Sequence, residues 1–402
     1  LRVLVLIFVA KVCLAEPLSL PQALAETVAR HPLLAAADGR ISTAQGLLEQ
    51  AALRPNPRLA LQIENLRGGW QGPFQYARDT DNFVWLQQTI ETAKKRQHRT
   101  ELASVNRQVA ESARLLLRQQ LVARVKQAWW AAIGAERARR IYDETRRTFA
   151  QIVEYHQIRV REGAMAEADL IRVRLEAERF ALAANNADLA AERAKITLLR
   201  EMGRSEFGPV ELADELEAPV TAPAADAEKA LNERGELAVA RRVIAAARAN
   251  QQVQVAQARP NYDVLGGYKR TLAQDTALVG LQIDLPFNNR NQGNIAAAVA
   301  EIRVAENDLK AGEALVKAEL QTAATEVRLR RKQVEETLGP LRRQAAETAR
   351  IAEAAYREGG TDLLRLLDAQ RLQLETQLVF VQALVEYRLA MVSLETAMGA
   401  NQ

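Results

Sequence analysis

Three histidines (His31, His98 and His156) and one cysteine (Cys13) are the only nitrogen or sulfur metal-ligand side chains of their kind in the 402 residues. They are scattered along the chain, with none of the clustered spacing that a zinc- or copper-type centre needs. No glycine-rich phosphate loop and no nucleophile motif is present. The sequence therefore predicts no enzyme, no cofactor and no metal site. What remains to do chemistry is fixed charge. Arg365 and Asp368 stand one helical turn apart on one face, and Asp169 and Arg172 repeat that spacing with the charges reversed. Groups of this kind hold helices together or bias the passage of ions.

The reversal follows from a duplication of the chain. Arg54-Pro55-Asn56 matches Arg259-Pro260-Asn261, and Leu86-Gln87 matches Leu281-Gln282. Arg161-Glu162-Gly163 matches Arg357-Glu358-Gly359, and Met202-Gly203 matches Met398-Gly399. Gly163 to Gly203 and Gly359 to Gly399 are each forty positions apart. The expected organisation is a first repeat over 16–202, a linker over 203–226 rich in Gly and Pro that wraps the waist of a tube, and a second repeat over 227–402.

Each repeat reads as helix, two strands, long helix, tight turn, helix. The first has a helix over 22–53, strands over 57–66 and 81–90, a long helix over 95–160 and a helix over 165–202. The second has a helix over 227–258, strands over 262–271 and 276–285, and a long helix from 293 to 356. In the last strand Ala277, Val279, Leu281, Ile283 and Leu285 share one face, the period-two pattern of a membrane-barrel strand. In the long helix, Ile302, Leu309, Val316 and Ala323 step by seven, as do Leu320, Val327, Val334 and Leu341, which predicts coiled-coil packing. Gly339-Pro340 is expected to kink this helix without ending it. Gly163 and Gly359 read as helix-ending glycines. Of the adjacent Trp129 and Trp130, one is expected to be packed and one partly exposed; Trp70, Tyr76 and Trp85 flank the first hairpin as candidate interface aromatics.

Aromatics make up only 5% of the chain, and Lys+Arg 54 nearly balance Asp+Glu 50. Acids and bases alternate along the helices, so a solvated helical surface is expected and no nucleic acid. Residues 1–15 read as a secretory signal, with Arg2, an apolar Val3–Ala10 run, and Cys13 and Ala15 at the small-residue positions before a cut ahead of Glu16. Lys11 and Val12 are not the small residues a lipid-attachment cysteine wants, so no lipidation is expected. No later run of apolar residues is long enough for a spanning helix. Four strands cannot close a barrel, and an open sheet edge in lipid costs several kcal/mol per unpaired group. Self-assembly is therefore required. Three copies supply twelve strands, an even number in the outer-membrane range.

The stretch QIDLPFNNRNQGNI at 282–295 closely resembles the strand-to-helix motif of the TolC family of outer-membrane efflux proteins. LQQTIETAKKR at 86–96 resembles the matching motif of the family's CzcC-like, metal-cation branch, although Ala93 and His98 stand where the family tends to glycine. The turns 161–170 and 357–370 and Met398-Gly399 also resemble family landmarks. The resemblance implies a mainly α fold, with long antiparallel helical hairpins and four strands per protomer. It also implies a homotrimeric exit duct in outer-membrane lipid with a large periplasmic extension. Its partners would be a periplasmic adaptor and an inner-membrane transporter that supplies the energy. It places Asp368 at the narrow periplasmic mouth, with Arg365, Asp169 and Arg172 beside it, and Arg161, Glu162, Gly163, Arg357, Glu358 and Gly359 at adaptor-contacting tips. The alternative reading is a soluble periplasmic coiled-coil adaptor, which has one helical hairpin between β-rich domains.

Overall fold

The computed structural model describes residues 17–67, 72–213, 216–219, 221–272 and 274–400. The signal and cleavage site, and Trp70, lie outside them. The elements are α1 (Leu20–Arg30), α2 (Pro32–Ala52), β1 (Arg58–Glu64), a short α3 (Tyr76–Asp79), β2 (Asp81–Ile90), α4 (Lys95–Arg161), α5 (Glu167–Glu201), α6 (Ala227–Glu233), α7 (Gly235–Gln257), β3 (Tyr262–Thr271), β4 (Gln274–Ile283), α8 (Gln292–Lys332), a π-helical turn (Gln333–Leu338), α9 (Gly339–Arg357) and α10 (Leu363–Ala397). They fall into two compact units. One comprises Leu1–Ala35, Leu117–Arg234 and Leu315–Gln402, and the other Ala36–Leu116 and Gly235–Ala314.

The expected helices 22–53 and 227–258 are each interrupted. His31 leaves the helical region at ψ 125, because the ring of Pro32 disfavours helical backbone in the residue before it. Arg234 does the same at ψ 123, ahead of Gly235. Asp226 starts α6 by accepting the backbone N–H groups of Glu228 and Lys229, both at 3.0 Å.

The long helix of the second repeat passes through Pro340 by a different device from a simple kink. In the wider turn before it, the Gly339 N–H reaches Val334 O, five residues back. A π turn inserts one residue into the helical phase. Val316, Leu320, Ala323, Val327 and Val334 are buried, but Leu341, expected in the same seam, is 43% exposed. Leu338, Ala345 and Ala349 take its place in the core, one residue out of the sevenfold register.

The first unit is built from α5, α10 and the parts of α4 and α8–α9 that pack on them. Its core holds Leu121, Val125, Trp129, Ile133, Leu198, Leu199, Leu367 and Leu394. Trp129 and Trp130 are both buried, where one of them was expected to be partly exposed; Trp130 lies beneath the Arg388 guanidinium, 4.6 Å from the ring centre. Arg388 is itself buried and donates to Leu216 O (2.9 Å) and Ala218 O (2.6 Å), pinning the linker to α10. The linker also pairs with the chain's beginning, where Leu18 N–H donates to Glu211 O at 2.8 Å. α10 is long and apolar enough to cross a membrane by length and composition, with mean hydropathy 1.3. Its buried residues, from Leu363 to Ala397, make it a core helix of this unit.

The second unit carries one antiparallel sheet in the order β1-β2-β3-β4. β1 is shorter than 57–66, and β4 begins two residues earlier than 276–285. β4 starts early because of the tight β3–β4 turn, where Leu272 adopts φ 50 without being glycine.

Candidate functional site

The sheet sorts its side chains by face. Register places Leu59 opposite Leu86, Leu61 opposite Val84, Ile90 opposite Tyr262, Val264 opposite Leu281, and Tyr262 opposite Ile283. These residues share one face and all are exposed, with Val279 on the same face at 82%. A soluble sheet covers such a face; here lipid would do so. The opposite face carries Gln62, Phe83, Lys269 and Thr276 in one row, with the Lys269 ammonium over the Phe83 ring. Among the described residues, the outer edges of β1 and β4 pair with no other strand.

Below the sheet in sequence, the strand-to-helix joint is tied across the repeats. Lys95 Nζ donates to Arg259 O (2.5 Å) and Asn261 Oδ1 (2.6 Å), and Gln88 Nε2 donates to Pro55 O (3.0 Å). Both Arg-Pro-Asn landmarks are thereby anchored. Ala93 and Lys94 take φ 49 and 57, left-handed backbone at two residues that are not glycine. The turn is therefore formed with strained backbone of about 1–3 kcal/mol per residue.

The α4–α5 and α9–α10 turns are equivalent. Gly163 and Gly359 adopt φ 73 and 77. Ala164 N–H reaches Arg159 O at 2.9 Å, and Gly360 N–H reaches Ala355 O at 2.8 Å, the six-to-one bond of a Schellman cap. Arg161, Glu162, Gly163, Arg357, Glu358 and Gly359 are all exposed, and Arg357 pairs with Glu353 at 2.6 Å.

Asp169, Arg172, Arg365 and Asp368, the four charges expected at the mouth, are not paired with one another in the protomer. Arg365 and Asp368 do not pair with each other. Asp362 caps α10 by accepting the Arg365 backbone N–H at 2.9 Å, and the exposed Asp368 lies 3.9 Å from Arg371. Among the described residues, Asp169, Arg172 and Arg365 make no ion pair inside the protomer. The pairing between repeats that does form is Arg371 with the buried Glu176, which also receives Arg179 at 3.1 Å. Glu176 and Arg371 went unnoticed in the sequence; the one available signal was a further basic residue one turn beyond Asp368.

Behind the turns, Phe149, Val173, Tyr356, Leu363, Leu366 and Leu367 form an apolar cluster joining the two hairpins. At its edge the fully buried His156 ring lies parallel to Tyr356, with Nε2 at 2.8 Å from the tyrosine oxygen. No sequence signal linked these two residues, which are 200 positions apart.

Two helical hairpins and a four-stranded antiparallel sheet with an exposed apolar face give a mainly helical fold with long helices and four strands. They do not fit the single hairpin of the adaptor alternative. Residues 227–400 match the family described as outer membrane efflux protein. The chain is 23% identical to the cobalt-zinc-cadmium resistance protein CzcC of Cupriavidus metallidurans, over 96% of this chain and 91% of that one. The fold is that of the outer-membrane channel OprN (20% identity, 94% and 89% coverage, TM-score 0.78) and of the open-state MtrE outer membrane channel of Neisseria gonorrhoeae (17%, 94% and 88%, 0.79). The family matched by residues 227–400 is one of efflux proteins and not of enzymes.

Proposed function

We propose that three copies of this chain form the outer-membrane exit duct of a tripartite pump, passing divalent heavy-metal cations from the periplasm outward. The observation that carries the reading is the sheet, whose apolar face is exposed and whose two edges are open. A second copy at each edge satisfies the backbone, and lipid covers the face. The helices support the same assembly: Leu175, Leu182, Leu189 and Ile196 form an exposed stripe on α5 with sevenfold spacing. Such a seam needs a partner helix.

Conduction in this scheme is passive. An adaptor docks at the exposed tips Arg161–Gly163 and Arg357–Gly359, and an inner-membrane transporter supplies the energy. Arg365, Asp169 and Arg172 are left to partners across protomers, and three Asp368 carboxylates favour cations at the mouth. The choice of cation rests on the likeness to the cobalt-zinc-cadmium resistance protein. Deleting the gene should sensitise the host to cobalt, zinc and cadmium salts and leave drug tolerance unchanged. Drug sensitivity with normal metal tolerance would reassign the substrate.

A further inference from the structure

We propose that His156 and Tyr356 form a proton-sensitive latch, which ties α4 to α9 at neutral pH and releases on acidification. The inference goes beyond the duct reading and rests on the hydrogen bonds around one ring.

His156 is wholly buried, and both its nitrogens are engaged. Nδ1 lies 2.7 Å from Ile152 O. A carbonyl oxygen can only accept, so Nδ1 carries the proton. Nε2 is then the bare nitrogen of a neutral ring, and Tyr356 O–H donates to it at 2.8 Å. In this arrangement Tyr356 is the donor, and a protonated ring would have to donate to the tyrosine oxygen instead. A second proton on Nε2 removes the acceptor that Tyr356 uses and places a charge in a ring without solvent.

The surroundings do not offset that charge. On α4, Tyr155 meets the imidazole edge-on and its hydroxyl receives Arg159 Nη1 at 3.0 Å, so the nearest charge on that helix is a cation. From α5, Asp169 is the one carboxylate that favours the protonated ring. From α9 come Tyr356 itself and Glu353 with Arg357, which neutralise each other at 2.6 Å. α10 presents Leu366. Burial, the largest influence, holds the His156 pKa below its ordinary value of 6.5, and the Arg159 charge adds to it. Burial likewise raises the Tyr356 hydroxyl, keeping it a donor. A histidine depressed in the packed state stabilises that state fully above pH 6.5. The contribution is lost as pH falls below 6.5 and through the lower, packed-state value. A cavity of about 380 Å³ beside the pair, lined by Thr148, Gln151, Tyr155 and Glu353, gives the freed ring and entering water somewhere to go.

The test is hydrogen exchange of the full-length protein in detergent, read by peptide from about pH 7.5 to about pH 5 and corrected for the intrinsic pH dependence of exchange. Peptides covering 150–160 and 352–367 should lose protection together on acidification, by up to about tenfold for each unit separating the open and packed pKa. His31 is also buried, so melting curves would mix the two histidines; local exchange separates them. In His156→Gln the acid-induced loss should vanish. Tyr356→Phe should be poorly protected already at neutral pH, with little further change. Unaltered protection of the wild-type segments at low pH, or an equal acid loss in His156→Gln, overturns the latch, as does a Tyr356→Phe profile matching wild type. Should His156→Gln not assemble, the wild-type series and Tyr356→Phe still decide. Because exchange is read and not conductance, a chain that forms no pore would leave the latch result standing.

Discussion

Gly163 and Gly359 share backbone and capping with Gly203 and Gly399, yet the two pairs sit in opposite surroundings. All four have φ between 73 and 83 and precede the same six-to-one hydrogen bond. A Cβ added at Gly163 or Gly359 meets nothing within 4 Å. At Gly203 it would lie 2.8 Å from His31 Cδ2 and 2.9 Å from Pro32 Cδ, and at Gly399 2.6 Å from the Glu233 carbonyl carbon. The Met-Gly landmark of each repeat thus presses into the helix interruption of that repeat, at His31-Pro32 and at Glu233-Arg234. One motif ends four helices. Two of those ends are packing joints and two are free surface.

The sharpest way to break this comparison is Gly399→Ala. It combines left-handed strain with a clash against backbone that cannot swing aside. A loss of about 3 kcal/mol or more is expected in thermal or denaturant unfolding, from overpacking added to the φ penalty. Gly203→Ala should cost somewhat less, because the imidazole of His31 can move where backbone cannot.

Arg388→Met comes next. It leaves Leu216 O and Ala218 O without their donor beneath the linker. Each orphaned carbonyl costs about 1–3 kcal/mol. Protease sensitivity in the linker should rise with the loss of stability; an unchanged digestion pattern would show that the linker is held by other means.

Gly163→Ala and Gly359→Ala should cost only the left-handed penalty, about 1 kcal/mol each, with oligomeric state intact. If these tips dock an adaptor, adaptor binding should fall while assembly holds. Equal damage at the 163/359 and 203/399 positions would erase the distinction between surface and joint.

The smallest stability effect belongs to Arg172→Ser with Arg365→Ser, within about 0.5 kcal/mol for exposed charges. Their readout is functional: planar-bilayer conductance and cation preference should both rise if these arginines hold the mouth between protomers. Unchanged values in an assembled protein would leave them as ordinary surface charge.

How legible each region was follows the same division. β3 announces itself because Tyr262, Val264, Gly266 and Tyr268 alternate with residues of the other face. β4 starts earlier than its pattern suggests because the turn uses Leu272 in place of a glycine. The helix expected unbroken over 22–53 breaks at His31-Pro32, and the break has its use in the packing of Gly203 there. The sevenfold register of the long helix was legible up to Val334 and then slipped. A π turn changes the phase without changing any residue type that periodicity can weigh. The charges at 169, 172, 365 and 368 could be read as types and spacings, while their partners depend on which helices meet. The Glu176–Arg371 pair and the His156–Tyr356 contact join residues nearly two hundred positions apart, and only tertiary packing selects them.

The central claim is that one chain cannot satisfy its own sheet. Native mass spectrometry of the detergent-solubilised protein tests it most directly. The account predicts a species of three chains, with the edge-strand amides of β1 and β4 protected from exchange. A stable folded monomer with its four strands intact and both edges exchanging freely would contradict it.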